Sequence, residues 1–392
     1  MQNRSIKISD ETLRDGEQQV GVFFSLPTKH KLAHLIAQTG VSGFAIMPSV
    51  CEQESALAKT LISDGLNHLI TASTMMGKEY IDQAKNYGLE RIILFHAVSD
   101  RLMFLRNPDI RLMSEYQGKT IDDDIPSHII NKVRQDAINL IVENLRYATQ
   151  VAELRVDFAA EDASRADFNF LVQCINSFSG YVEHFLLCDT VGVLTPEKSY
   201  IWINDLLQCT TGVELGVHYH NDRGLALENT LQSITAGASL ISGTFCGLGE
   251  RSGNAALEQV LNGLRLRFGI ELEGINYDAV DVLTNYIEEM GIRPAPPYSR
   301  ISQSHESGIH VNSLLRDPLS YSTFPHDKTG VVFGKWSGVS NFQYLFEKQL
   351  QNPQTRQQYE KMRDVIKSLA IEQECYFTAK EVLKLWKDGT FE

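Results

Sequence analysis

Apolar positions in the first two thirds of the chain follow two alternating periods. Short runs rich in β-branched and aromatic residues lie at 5–9, 41–47, 68–73, 91–97, 152–158, 181–188, 212–220 and 238–245. Each is followed by a stretch with helical spacing, such as Leu32, Leu35 and Ile36, or Leu225, Leu231 and Ile234. Eight β-then-α units filling ~265 residues predict a closed (β/α)8 TIM barrel, an α/β architecture that typically takes about 250 residues. An open doubly wound sheet calls for a glycine-rich phosphate loop after the first strand, and "ETLRDGEQ" stands there instead. In a barrel the chemistry gathers at the C-terminal ends of the strands, which directs attention to the residues just past each run.

The same reading divides the chain into a catalytic barrel over 1–270, a linker over 271–300 and a small, mostly helical C-terminal region over 301–392. The linker contains "GIRPAPPYS", stiffened by three prolines. The fourth unit carries a long predicted loop at 99–128, long enough for a lid or a partner contact. A net charge of -13, from 36 basic against 49 acidic residues, argues against nucleic acid or an anionic membrane as the main partner. No apolar run approaches the ~18 residues of a membrane helix and no leader-like segment is seen, so a cytoplasmic chain acting on small molecules is expected. Six scattered cysteines without a C-x-x-C pair predict free thiols rather than disulfides or a thiolate zinc site.

Four segments carry candidate chemistry. "ISDETLRDGEQ" gathers Arg14, Asp15 and Gln18 past the first strand, a guanidinium beside a carboxylate that suits an oxoacid or a developing oxyanion. In "VELGVHYH" the apolar positions alternate with His218 and His220, so both imidazoles share one face and point into the barrel near a strand end. Two histidines and Asp15 make the ligand set of a catalytic divalent metal with positions left open, and Asn254 of "GLGERSGNAALE" can add an oxygen. In "SHESGIHVNSLLRDPLSY", His310 with Glu306 or Tyr321 is a candidate general base beyond the barrel.

Taken together, "ETLRDGEQ", "EDASRADF", "CDTVGVLTP", "HYHND", "GLGERSGNAALE" and "HESGIH" resemble the isopropylmalate, homocitrate and citramalate synthase family of metal-dependent barrels, over about residues 6 to 340. The look is nearest to nitrogen-fixation-type homocitrate synthases, and the chain is too short for a leucine-sensing regulatory domain. The resemblance implies a condensation of acetyl-CoA with a 2-oxo acid followed by thioester hydrolysis, an acyl transfer with loss of CoA. It implies Asp15, His218 and His220 as ligands of Mg, Mn or Zn, with Asn254 supporting them. Arg14 and Gln18 are implied to hold the oxoacid, Thr190 its carboxylate, Glu161 to act as a catalytic carboxylate, and His310 with Tyr321 to act on the acyl-CoA. It also implies a homodimer that exchanges the C-terminal region.

Some positions depart from the family pattern. Phe44 and Ile46 stand where E-x-G is usual, Ser73 where an arginine is usual, and "DFAAED" places Asp157 and Ala159 where other side chains are usual. Trp336 replaces a histidine in "GKWSG". With Phe44, Ile46, Ser73 and Ala159 read as pocket residues, lost charge points to an apolar or aromatic 2-oxo acid, of the 2-benzylmalate or 2-isopropylmalate type, in competition with 2-oxoglutarate. A lyase of the hydroxymethylglutaryl-CoA type and a catalytically silent relative are the readings from other classes.

Overall fold

A computed structural model describes residues 6–322 and 329–391. Its eight parallel strands pair in sequence order, and the eighth returns to the first to close a barrel. They are β1 (Lys7–Asp10), β2 (Gly43–Ile46), β3 (Ile70–Thr74), β4 (Arg91–Ala97), β5 (Arg155–Glu161), β6 (His184–Asp189), β7 (Glu214–Tyr219) and β8 (Leu240–Gly243). Ser5, which opens the predicted run 5–9, lies outside the described residues. The fifth strand falls about three residues later than its predicted run and ends on Glu161, because "AAE" continues the ladder with β4 rather than turning.

Register decides which side chains face inward. Ser9 is level with Gly43 and with Ser242, Ser73 with Ile93, Phe95 with Ala159, and Cys188 with His218. Level residues in a parallel ladder point the same way, so these line the lumen while their neighbours face the helices. Ile93, Leu186, Cys188 and Leu240 pack with Ala159 into one apolar layer across the barrel. Below it, at the N-terminal ends of the strands, His184 bridges Asp157 at 2.7 Å and Lys7 at 3.0 Å, and Arg91 pairs with Asp157 at 2.7 Å. Asp157 therefore belongs to a polar plug at the opposite end from the candidate site.

The segment 99–128 is not an open loop. It folds into helices Asp100–Arg106 and Pro108–Leu112, capped by Ser99 and Asn107, and a 3-10 turn at Ser114–Tyr116. The expected linker also holds structure: Tyr277–Glu289 is a helix that buries Val280, Leu283 and Ile287 in the barrel's main core. These three repeat at i, i+3 and i+7, a helical stripe in the sequence.

Beyond it, helices Gly308–Leu314, Val339–Gln343, Arg356–Gln373 and Ala379–Lys387 enclose a second core of Phe333, Phe342, Phe346, Tyr359 and Ile366. Val311 belongs to this second core, whereas Leu314 and Tyr321 belong to the barrel's. Among the described residues no helix is long and apolar enough to cross a membrane.

Candidate active site

The cavity opens at the C-terminal ends of the strands, with about 800 Å³ of space, part of it open to solvent. Asp15 follows β1, and His218 and His220 lie on and just past β7. Their ligand atoms converge: His218 Nε2 and His220 Nε2 are 3.3 Å apart, and Asp15 Oδ2 is 3.9 and 4.0 Å from them. Two nitrogens about 2.1 Å from one ion at a right angle lie about 3.0 Å apart, close to the spacing found here. Burial lowers both histidines below their ordinary value, His220 well below it, so both are neutral and offer a lone pair. Ser242 Oγ lies 3.0 Å from His218 Nδ1, which leaves Nε2 facing the cluster.

Asp15 is held as a carboxylate. Burial alone raises its pKa, but Arg14 and the two imidazoles outweigh that and keep it well below the usual carboxylate range. Asn254 Nδ2 donates to Asp15 Oδ1 at 2.9 Å and to the Leu248 carbonyl, while Asn254 Oδ1 is buried without a partner among the described residues. An orphaned oxygen beside two neutral imidazoles and a carboxylate is the donor set a divalent ion requires, so these residues fit a metal. The turn that brings Asn254 here depends on Gly249, at φ 146°, where a Cβ would stand 2.1 Å from Asn254 Nδ2 and 2.6 Å from Asp15 Oδ1.

Around this cluster Arg14 donates to Glu11 at 2.8 Å, to Asp15 at 3.1 Å and to Gln18 at 3.4 Å. Thr190 Oγ1 accepts from the Asp162 N–H, which frees its hydroxyl proton for the cavity it lines. Arg251 is buried against Asp222 at 2.8 Å and also donates to the Thr190 carbonyl, so "GLGERS" and "HYHND" lock each other in place.

The C-terminal region brings His310 and Tyr321 to the mouth of the barrel. His310 Nε2 lies 3.0 Å from Glu250 Oε2, and its ring stacks on Tyr321 with centroids 3.6 Å apart. Tyr321 Oη donates to Glu161, and Arg106 binds both Glu161 and Tyr321. Burial raises Glu161, but the Arg106 charge outweighs it and brings the carboxyl down to about 2, so Glu161 is an anion. Arg165 of "EDASRAD" donates to the carbonyls of Leu319 and Ser320 at 2.8 and 2.7 Å, which clamps the segment that ends in Tyr321.

A profile of the HMGL-like family matches residues 5–116 and 125–281. The chain belongs to the HMGL-like family. Homocitrate synthase AksA of Methanothermobacter thermautotrophicus is 32% identical over 346 residues, covering 85% of this chain and 81% of that protein. The 2-isopropylmalate synthase 2 of Caldanaerobacter subterraneus subsp. tengcongensis is 28% identical, covering 98% of this chain and 96% of its own length. Among solved structures, hydroxymethylglutaryl-CoA lyase from Pseudomonas aeruginosa superposes with a TM-score of 0.56 at 18% identity, over 76% of this chain and 97% of that one. That likeness is one of fold.

In this HMGL-like chain the cavity collects Arg14, Asp15, Gln18, Ser73, Ala159, Glu161, Thr190, His218, His220 and His310. Of the other expected residues, Asn254 and Tyr321 bond to members of this set, and three lie elsewhere. Phe44 and Ile46 are fully buried in the core between barrel and helices, because period-2 alternation turns Ala45 and Met47 to the lumen instead. Met47 lines the cavity at their place. Glu306 lies behind it, accepting from the Trp336 N–H at 3.0 Å, with burial pushing it up to about 7. Glu250 takes the position beside His310 that was expected of Glu306. Arg106 has no counterpart among the expected residues, since its partners are 55 and 215 positions away.

Proposed function

We propose that this chain condenses acetyl-CoA with a 2-oxo acid bearing an apolar side chain and then hydrolyses the thioester, releasing CoA. The observation that carries this reading is the floor of the cavity: below Arg14 and Thr190 it is lined by Met47, Ile93, Phe95, Ala159, Leu186 and Cys188, with Ser73 as its one hydroxyl. The cation among the cavity-lining residues is Arg14, already engaged by Glu11 and Asp15. A second carboxylate, as in 2-oxoglutarate, would sit there desolvated and unpaired, at several kcal/mol.

The roles of the chain's own groups follow from their free atoms. Thr190 donates its hydroxyl to the oxoacid carboxylate, and Arg14 faces the keto oxygen. His310 Nε2 lies 3.0 Å from Glu250 Oε2 and is directed to it, while Nδ1 is buried without a partner among the described residues and takes the methyl proton of the acetyl group. The carbon left with that electron pair attacks C2, and Arg14 stabilises the negative charge moved onto oxygen. Water then cleaves the thioester, giving a carboxylate and CoA thiol. Asp15, His218 and His220 would hold a divalent ion, which would supply Lewis-acid polarisation of the keto group.

The acyl-CoA enters along a groove of about 1380 Å³, part of it open to solvent, that joins the cavity at Gln18, Met47, Ser307 and Ile309. Its outer wall presents Trp336, Arg363 and Lys367. Among the described residues Lys367 Nζ donates to one partner, the Val50 carbonyl at 3.2 Å, which leaves donors for phosphate. Substituting Lys367→Glu is expected to raise KM for acetyl-CoA about tenfold, as loss and reversal of a half-buried charge contact costs about 1.4 kcal/mol, with KM for the oxoacid unchanged. Initial rates at varied acetyl-CoA check this.

Homocitrate-type chemistry on 2-oxoglutarate is the second reading, favoured by the similarity to the homocitrate synthase above. CoA-thiol release with pyruvate, 2-oxoisovalerate, phenylpyruvate and 2-oxoglutarate separates the two. An apolar acid is expected to exceed 2-oxoglutarate in kcat/KM by about 100-fold, the equivalent of ~3 kcal/mol. A preference for 2-oxoglutarate overturns the apolar reading, and no release with any acid overturns condensation.

A further inference from the structure

A second convergent set of metal-binding side chains lies on the first two outer helices of the barrel. The first outer helix, Leu26–Gln38, contains "HKLAH", which places His30 and His34 one turn apart on one face. Asp64 caps the C-terminal end of the next outer helix, Glu52–Ser63, and comes between them. Its Oδ2 is 2.6 Å from His30 Nε2 and 2.9 Å from His34 Nε2, and the two rings meet edge to face at 4.7 Å. The Nε2 and Oδ2 atoms of all three lie within 4.8 Å of one another.

We propose that His30, His34 and Asp64 bind a divalent transition-metal ion of the Zn²⁺ or Ni²⁺ class, independent of the catalytic cluster. A histidine pair at i, i+4 on a helix is a preformed bidentate chelate, and a carboxylate from a second element supplies the third ligand of a site whose remaining positions water fills. Ligands around a tetrahedral ion at about 2.1 Å stand roughly 3.4 Å apart, so Asp64 has to withdraw by less than about 1 Å. The three side chains are 30–40% exposed and have that freedom. Nothing cationic competes: among the described residues no lysine or arginine pairs with Asp64, and Lys31 turns its ammonium onto the Tyr286 ring at 3.8 Å.

The contrast with the third such cluster sharpens the choice. Asp157, Glu183 and His184 also converge, but Arg91, Arg155 and Lys7 already neutralise them, and a further cation would be repelled. A metal at His30, His34 and Asp64 ties the first outer helix to the end of the second, and none of the three lines the catalytic cavity.

Zn²⁺ titration of the full chain against a competing chelator, with metal content measured after dialysis, tests the proposal. The wild type is expected to take up two equivalents, and His34→Gln to lose one or bind it at least tenfold more weakly, with CoA release unaltered. Asp15→Asn is expected to retain the outer equivalent and lose the catalytic one. The Zn²⁺-dependent rise in melting temperature is expected to be smaller in Asp64→Asn. Equal stoichiometry and affinity in wild type, His34→Gln and Asp64→Asn would overturn it.

Discussion

His220→Ala is expected to lower CoA release by roughly 10³-fold while leaving the barrel folded. The side chain supplies one of three atoms that meet within 4.0 Å in a buried, neutralised pocket, and no neighbouring donor replaces it. Losing about 4 kcal/mol of charge stabilisation in the transition state corresponds to three powers of ten in rate. The fall should be in kcat, with bound metal decreasing in parallel, and Asp15→Asn should behave alike. Steady-state rates and metal content on one preparation check it. Activity within tenfold of wild type, with the metal gone, would show that the cluster does not serve the reaction.

The second large effect concerns stability. Lys29, Glu17, Glu54 and Lys335 form a buried quartet between the first two outer helices and the C-terminal region, each side chain at most 1% exposed. Lys335 reaches Glu17 at 2.6 Å and Glu54 at 3.0 Å, and Lys29 holds the same two carboxylates at 2.7 and 2.6 Å. Burial raises Glu54, but the two ammonium groups overcome that and lower it below its ordinary value. Lys335→Met leaves two buried carboxylates with one cation, and about 3–5 kcal/mol of stability should be lost. The double variant Lys335→Met/Glu17→Gln restores neutrality and should lose less than the single one. Urea unfolding of both measures this, and a single variant within 1 kcal/mol of wild type would mean that water or rearrangement relieves the charge.

Legibility in the sequence followed periodicity. Eight alternating units were enough for a closed barrel, and alternation along "GVHYH" put both histidines on the lumen side. The same rule, applied to "GFAIMP", turns Phe44 and Ile46 outward and Met47 inward; comparing letters with a family motif obscured it. Arg106 was hidden for another reason. Its partners Glu161 and Tyr321 come from the end of β5 and from beyond the barrel, and no local pattern links them. Glu306 looked apt because it is four residues from His310, whereas Glu250 reaches the imidazole through the fold. The helix at Tyr277–Glu289 is readable from Val280, Leu283 and Ile287, although the prolines that follow it are the pattern of a linker.

The short helix Gly308–Leu314 sits astride two cores, with Val311 in one and Leu314 in the other, and His310 between them. His310 is thus a keystone. Asp15, His218 and His220 belong wholly to the barrel and keep their places if the smaller core loosens, whereas His310 depends on both cores being packed at once.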